Sequence, residues 1–356
     1  MIQPLIHVVR LAILVVITHA FFSTPGASQA PDSHPLVTDV PPVVQLTNRT
    51  LSQTNLKDRM AHYRVPGVSI AVMRGGKITD VLAIGVKDEN TDKPVESDTL
   101  FQAASISKPA FATVLMAYRD RHGLDLETPV NRLMTSWQIN GVSEAFPDGV
   151  TLRRLLSHTA GTTVHGFAGY KKGEAVPTLI QLLDGASPAN SPAVTVDIQP
   201  FSQFRYSGGG TSVAELVFRD VTGKSLPTLA DDLLFQPLDM QNSYFVQPLP
   251  DTLMDQAANA HDQLGNTIEG GAHTYAAMAA AGLWTTPSDI LTWGASIWRA
   301  SNGSTGEVVS PEAARDMLNN PLGPVGIGFF IDGEGGGCFF WPRRFERGLP
   351  VQLLCL

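Results

Sequence analysis

Two apolar runs in the first quarter of the chain are separated by a short polar turn. The runs are SIAVM (69–73) and ITDVLAIGV (78–86), and Arg74-Gly75-Gly76-Lys77 lies between them. Glycine takes positive φ without steric cost, as the tight turns of hairpins require. The pattern therefore predicts a β-hairpin over residues 69–86.

Periodic apolar positions further along the chain predict helices. The segment KPAFATVLMAYRDR places its apolar residues on one side, and we expect a helix from near Ser105 to a stop at Gly123. Pro109 is tolerated there, because the backbone donors of a first turn lack partners anyway. Start or stop signals predict further helices at TLRRLLS (Thr151 as cap), PTLIQLLDG, TSVAELVFRDVTG (Thr211 as cap, Gly223 as stop), SDILTWGASIWRA and SPEAARDMLNN.

Strand-like runs return after residue 324, at GIGFFID and GCFFW, whereas the middle of the chain is largely helical. This order predicts an α/β (α+β) fold, with one antiparallel sheet built from both chain ends, flanking helices and an inserted helical subdomain. We expect the sheet parts at about 60–100 and 290–341 and the helical part at about 101–289.

The first thirty residues are typical of a secretory signal peptide. Arg10 precedes the apolar run LAILVVITHAFF, and Ser28-Gln29-Ala30 offers small residues at a cleavage point. The run is short for a membrane span and is interrupted by Thr18 and His19, although a retained anchor is the alternative. We therefore expect a mature domain from residue 31 that is exported, periplasmic or secreted, without a stable membrane span.

Composition excludes several classes of function. The chain has 356 residues and a net charge of −8, and no basic patch indicates a nucleic-acid partner. Two cysteines, Cys338 and Cys355, do not make a disulfide framework. The sequence contains no HExxH motif or Cys/His cluster that would predict a metal, and no GxSxG motif that would predict an ordinary α/β-hydrolase. No cofactor is implied.

The candidate chemistry lies in Ser105-Ile106-Ser107-Lys108. Three residues apart on a helix, Ser105 and Lys108 share a face, so the amine can serve as base for the hydroxyl. A helix start also favours developing negative charge. The alternative is a capping serine and a solvated lysine.

Five segments together resemble the penicillin-recognising serine hydrolases, a family of class C β-lactamases, DD-peptidases and related esterases and aminopeptidases. The resemblance covers roughly residues 45–341 and rests on SISK (105–108), LLSHTAG (155–161), FRYSGGG (204–210), LFQPLDM (234–240) and AAAGLWTTPSDI (279–290). It implies a β-lactamase/transpeptidase-like fold that is C-terminally incomplete, and a small-molecule or peptidoglycan-peptide substrate.

The resemblance also implies roles for residues. Ser105 resembles the acylated nucleophile, Lys108 its proton partner, and Tyr206 the tyrosine that assists proton transfer to the leaving group. Ser207 and Gly208 fall in the substrate-binding stretch, where β-lactamases commonly place an asparagine at the second position. Gly208 removes those amide hydrogen bonds, so efficient β-lactam hydrolysis is not expected.

Two histidines near these motifs receive different interpretations. His158 resembles a family landmark at a helix end, and we interpret it as a packing or capping group. His165 is a weaker candidate for the lining of the cleft.

The last fifteen residues do not fit the family pattern. A third motif, Lys-Thr-Gly or His-Gly-Gly, would follow a strand such as GCFFW, but the chain continues PRRFERGLP. Read one base later, the codons of that peptide permit His-Gly-Gly-Ser-Asn-Glu-Gly-Phe-Arg, so we hypothesise that 342–356 arise from a frameshift or sequence error. The alternative is a genuine divergent terminus.

Two functions follow for the chain. The first is a serine hydrolase that forms an acyl-enzyme from an ester or amide. The second is a catalytically silent binding protein that keeps the cleft but lacks the oxyanion strand.

Overall fold

A computed structural model describes residues 55–140, 149–319 and 322–331, together with the backbone of three further strands, Ile13–Ile17, Cys338–Phe340 and Gln352–Leu354. In chain order the strands are β1 Ile13–Ile17, β2 Gly67–Arg74, β3 Lys77–Gly85, β4 Phe101–Gln102, β5 Tyr244–Phe245, β6 Leu283–Thr285, β7 Phe330–Ile331, β8 Cys338–Phe340 and β9 Gln352–Leu354.

Eleven α-helices lie in the described residues. They are α1 Leu56–Tyr63, α2 Ser107–His122, α3 Val130–Leu133, α4 Leu152–Leu156, α5 Leu179–Asp184, α6 Gly208–Thr222, α7 Leu226–Ala230, α8 Asp251–Met254, α9 Met278–Ala281, α10 Pro287–Ser301 and α11 Pro311–Met317. A 3₁₀ turn, Ala104–Ile106, precedes α2, and a π-helical turn, Asp231–Phe235, follows α7. Within the described part of the chain, no helix is both long and apolar enough to cross a bilayer.

The large sheet combines strands from both chain ends, as predicted. Its order is β3-β2-β1-β9-β8-β7. The predicted hairpin is confirmed: β2 and β3 are antiparallel, and Gly75 and Gly76 take φ of 57° and 76° in the turn. The sheet is not wholly antiparallel, because β1 pairs in parallel with both β2 and β9.

Two strands of this sheet lie in segments that the sequence did not predict to be strands. Strand β1 lies in the apolar run of the predicted signal peptide, and β9 lies in the tail predicted to be aberrant. Signal cleavage and the frameshift stay predictions. Residues 342–344, where the third motif is due, lie outside the described residues.

The predicted helices are present, with one correction at a start. The helix expected to begin with Thr211 as cap begins four residues earlier, since Ser207 is the N-cap of α6 and accepts from the Gly210 N–H. Three glycines at 208–210 hid this start, because glycine has poor helix propensity. Thr151 and the stops at Gly123 and Gly223 are as predicted.

A second sheet inside the helical part was not predicted. It has the order β4-β6-β5, with strands of two or three residues. Such short strands show no measurable alternation, so only the pairing of distant segments defines them. Strand β4 precedes α2 and β6 follows α9, so the pairing of β4 with β6 joins the segments that flank these two helices.

The main core surrounds α2, whose first eleven residues, Ser107–Ala117, are all buried. Helix α10 packs on the large sheet, and its Trp293 indole N–H donates to Thr113 Oγ1 of α2 at 3.1 Å. A helix buried on all sides gives a rigid base, and its N-terminal end carries the candidate chemistry.

Candidate active site

Ser105 lies in the 3₁₀ turn that leads into α2, not in the α-helix itself. The N-cap position of α2 is Ile106, and no side chain caps either the turn or the helix. The capping alternative for Ser105 is therefore not what the structure shows. Ser105 itself is half-buried.

Lys108 is buried beside this serine, so the alternative of a solvated lysine is wrong. Its side-chain nitrogen lies 3.0 Å from Ser105 Oγ and 2.8 Å from the Ala280 carbonyl oxygen. Only 5% of the residue is exposed. The amine is fixed by the carbonyl on one side and by the hydroxyl on the other, within the range of proton transfer.

The backbone before Ser105 is held in an unusual conformation. Ala104 takes a φ of 45°, in the left-handed region that an alanine seldom adopts. The Ser107 hydroxyl donates to the Ala104 carbonyl at 2.5 Å and accepts from the Leu283 N–H at 3.0 Å. A second bond joins the Ala103 N–H to the Leu283 carbonyl at 2.9 Å.

Ser107 is thus a site residue that the sequence interpretation missed. It is fully buried, and its hydroxyl ties the strained turn to β6. Strain of this kind costs about 1–3 kcal/mol and persists only where surrounding contacts enforce it. The available signal was the second serine of Ser-Ile-Ser-Lys, which has no role in a simple serine–lysine pair.

Tyr206 comes from another part of the chain, just before α6, and its ring lies beside Lys108. The lysine nitrogen lies 5.1 Å from the centroid of the Tyr206 ring. Three further rings surround the tyrosine, with centroids at 4.4 Å (His158), 4.9 Å (His165) and 6.1 Å (Phe330). The three predicted catalytic residues are therefore brought together.

The two residues predicted to bind substrate, Ser207 and Gly208, make hydrogen bonds within the protein. Ser207 is fully buried, and its hydroxyl caps α6 and donates to the Thr163 carbonyl at 2.6 Å. The Gly208 N–H donates to the His165 carbonyl at 2.9 Å. A Cβ on Gly208 would lie 3.2 Å from that same oxygen.

The close approach of segment 162–167 explains why three consecutive glycines, 208–210, begin α6. A Cβ on Gly209 would lie 2.7 Å from the Thr163 carbonyl oxygen, and one on Gly210 would lie 2.6 Å from Thr162 Oγ1. Side chains at these positions would push the segment away from the first turn of α6. The glycines therefore allow this segment to cross closely beside Tyr206.

His158 is buried behind the site and remains neutral. Burial, followed by the charges of Lys108 and His165, lowers its pKa to about 3. Its Nδ1 accepts from the Ser207 N–H at 3.2 Å, which requires the unprotonated nitrogen. This contact agrees with the interpretation of His158 as a packing and capping group.

His165 lies beside Tyr206, and its predicted place in the lining of the cleft stays a prediction. Partial desolvation, followed by the positive charge of Lys108, holds its pKa below the ordinary value. The preceding Val164 has a φ of 61°, an outlier for a β-branched residue. A left-handed backbone conformation thus again directly precedes a residue of the site.

The arrangement can perform acyl transfer. A serine hydroxyl within hydrogen-bond reach of a buried amine is an activated nucleophile, and the Tyr206 ring lies beside that amine. Charge that develops on the attacked carbonyl would lie near the start of α2, whose dipole favours it.

The family comparison matches most of the chain. The family model described as Beta-lactamase matches residues 53–344. Penicillin-binding protein 4 of Amycolatopsis lactamdurans is 29% identical over 181 residues, which are 51% of this chain and 45% of that protein. Esterase EstB of Burkholderia gladioli is 28% identical over 194 residues, 53% of this chain and 49% of that protein.

A D-aminopeptidase of Brucella anthropi is 22% identical over 298 residues, 77% of this chain and 51% of that protein. The chain thus spans about half the length of these curated relatives.

Solved structures support the fold. The D-amino acid amidase from Ochrobactrum anthropi SV3 has a TM-score of 0.63 at 20% identity, covering 83% of this chain and 87% of that one. The D-alanine carboxypeptidase AmpC from Burkholderia cenocepacia has a TM-score of 0.57 at 21% identity, covering 77% and 71%. The predicted fold class is confirmed.

Proposed function

This chain belongs to the Beta-lactamase family of serine hydrolases, and we propose that it hydrolyses small esters through an acyl-enzyme on Ser105. The observation that carries the proposal is the 3.0 Å contact between Lys108 Nζ and Ser105 Oγ, with the lysine buried. The motif resemblance implies the same pair, with Ser105 as nucleophile and Lys108 as its proton partner.

In the first step, Lys108 Nζ accepts the Ser105 proton while Oγ bonds to the substrate carbonyl carbon. The carbonyl π pair moves onto oxygen. When the tetrahedral intermediate collapses, the bond to the leaving oxygen breaks, and the leaving group takes the proton from Lys108 by way of Tyr206. Water then attacks the acyl carbon, the bond between that carbon and Ser105 Oγ breaks, and the acid leaves while a proton from the water returns to Oγ.

Three substrate classes follow from the resemblance: D-amino-acid peptides, β-lactams and small esters. Two observations favour esters. Gly208 supplies no amide side chain for an acylamino group, and the His165 carbonyl occupies the space beside it. The named relatives include an esterase as well as a penicillin-binding protein and a D-aminopeptidase.

The test incubates purified protein with p-nitrophenyl butyrate and with a fluorescent penicillin. Ser105→Ala is the critical variant, and Ser202→Ala, an exposed serine of the loop before Tyr206, is the matched control. We expect ester turnover and a covalent acyl mass on the wild type and on the control, and neither on Ser105→Ala.

Turnover that survives Ser105→Ala would remove Ser105 as the nucleophile. Penicillin labelling with no ester turnover would favour the β-lactam or peptide classes. No reaction of the wild type with either probe would favour the silent binding protein.

We also propose export of the mature protein, supported by the apolar run and the small residues at 28–30. Fractionation of expressing cells and N-terminal sequencing test it. A mature chain that begins near residue 31 outside the cytoplasm is expected. A chain that keeps Ile13–Ile17 in the folded protein, where this segment is β1, would contradict it.

A further inference from the structure

We propose that Glu215 is a positioning residue for Lys108: it holds the short helix α9 in place through the Ala279 N–H, and α9 in turn holds the lysine nitrogen. The effect on activity rests on the proposed function, whereas the structural part does not.

Glu215 is a buried carboxyl with a specific partner. It lies on α6 with 8% of its surface exposed, and its Oε2 accepts from the Ala279 N–H at 2.8 Å. Burying a carboxyl costs free energy unless it is hydrogen-bonded, so its presence here needs a compensating contact.

Helix α9 has no side-chain cap of its own. Its N-cap is Ala277, which has no side-chain oxygen, and the first N–H groups of a helix have no partner within the helix. Glu215 satisfies the Ala279 N–H from outside, as a capping side chain would. The four residues of α9 are Met278 and three alanines, and Ala279 and Ala280 are buried in the main core beside α2 and α6.

The residue after Ala279 contacts the catalytic lysine. The Ala280 carbonyl accepts from Lys108 Nζ at 2.8 Å, and the same nitrogen contacts Ser105 Oγ at 3.0 Å. Three residues later, Leu283 holds the turn of Ser105 through Ser107 and Ala103. A shift of α9 would therefore move the amine relative to the nucleophile.

The geometry makes the acceptor oxygen the important feature, and the charge secondary. Burial raises the pKa of Glu215 to about 7, while the Ala279 N–H and Arg219 oppose that rise. Both the acid and the carboxylate can accept from an N–H, and so can the amide oxygen of glutamine. Glutamine at 215 should therefore preserve the site, and an apolar residue of similar length should not.

The experiment compares Glu215→Gln and Glu215→Met with Ser212→Ala as matched control. Ser212 is a buried polar residue on the same helix, and its hydroxyl has no hydrogen-bond partner in the described structure. Each full-length variant is assayed with p-nitrophenyl butyrate for kcat and KM. We expect Glu215→Met to lower kcat about 10- to 100-fold at nearly unchanged KM, the usual cost of a displacement near 1 Å. Glu215→Gln and Ser212→Ala should stay near the wild-type kcat.

A second measurement does not depend on activity. Amide hydrogen exchange of the peptide spanning Ala277–Leu283 should accelerate in Glu215→Met and stay at the wild-type rate in Glu215→Gln. Unchanged exchange in Glu215→Met would overturn the positioning role, whether or not the protein hydrolyses esters. An inactive wild type with accelerated exchange in Glu215→Met would contradict only the proposed function.

Glu215→Asp covers the case in which the methionine variant fails to fold. It keeps a carboxyl but is one methylene shorter, so it cannot reach the Ala279 N–H from the same backbone. We expect faster exchange and a kcat reduced about 10-fold. Wild-type values for both would overturn the proposal.

Discussion

Two serines stand at the starts of two helices, and the structure uses them in opposite ways. Ser207 is fully buried, caps α6 and donates to the Thr163 carbonyl. Ser105 lies in a 3₁₀ turn, caps nothing and contacts the Lys108 amine at 3.0 Å.

The difference shows what a reactive serine at a helix start requires. An ordinary cap accepts from the N–H two or three residues on, which fixes the hydroxyl inside the first turn. At Ser105 the left-handed Ala104 and the intervening turn prevent this, and Ser107 carries the structural hydrogen bonds instead. One serine stabilises the turn so that the other stays available.

The largest expected effect breaks the contact that distinguishes Ser105. Lys108→Met fills a similar volume but removes the base, so kcat/KM for p-nitrophenyl butyrate should fall about 10²- to 10⁴-fold. Lys224→Met, at an exposed lysine that pairs with Asp232, is the control and should keep wild-type kinetics. Equal activity of the two variants would show that the amine does not activate Ser105.

The second prediction concerns His158, whose Nδ1 accepts from the Ser207 N–H. Because the folded state lowers the pKa of His158 to about 3, its stabilising contribution is present above the ordinary pKa of 6.5 and is lost as pH falls toward 3. The free energy of unfolding should therefore drop by up to about 1.4 kcal/mol per pH unit from this group between roughly pH 6 and pH 4.

His158→Asn is the comparison for this pH dependence. Asparagine also tolerates the left-handed φ of 58° at this position and offers an acceptor oxygen that does not titrate. Denaturant unfolding at several pH values should give the variant a shallower acid slope. Identical slopes would show that His158 does not stay neutral in the folded protein.

The third prediction tests the close crossing over the start of α6. In Gly209→Ala the new Cβ meets the Thr163 carbonyl oxygen at 2.7 Å and a Val194 methyl at 2.9 Å. We expect a loss of about 1–3 kcal/mol in the free energy of unfolding. Gly166→Ala in the crossing segment meets no atom within 4 Å and should change stability by less than about 0.5 kcal/mol.

The smallest effect separates the two serines directly. Ser207→Ala removes a cap and should cost about 1–2 kcal/mol of stability, with kcat near wild type under folding conditions. Ser225→Ala removes the cap of α7, an exposed site, and provides the reference for loss of a cap alone. A Ser207→Ala protein that keeps its stability but loses turnover would assign Ser207 to the reaction.

The sequence by itself determined the local elements and the reactive pair. Alternation and a glycine turn identify the hairpin of β2 and β3, and capping signals identify most of the longer helices. Ser105 and Lys108 lie three residues apart at the entry to α2, a spacing from which the sequence predicts that they face each other.

Only the tertiary structure decided the environment of that pair. The buried Lys108 amine donates to the carbonyl oxygen of Ala280, which is 172 residues away in the chain. Glu215 in turn accepts from the N–H of the neighbouring Ala279. The same holds for Ser207 and Gly208, whose hydrogen-bonding groups are taken by the segment 162–167. Contacts between residues far apart in the chain leave no local periodicity, and burial and pKa depend on those contacts.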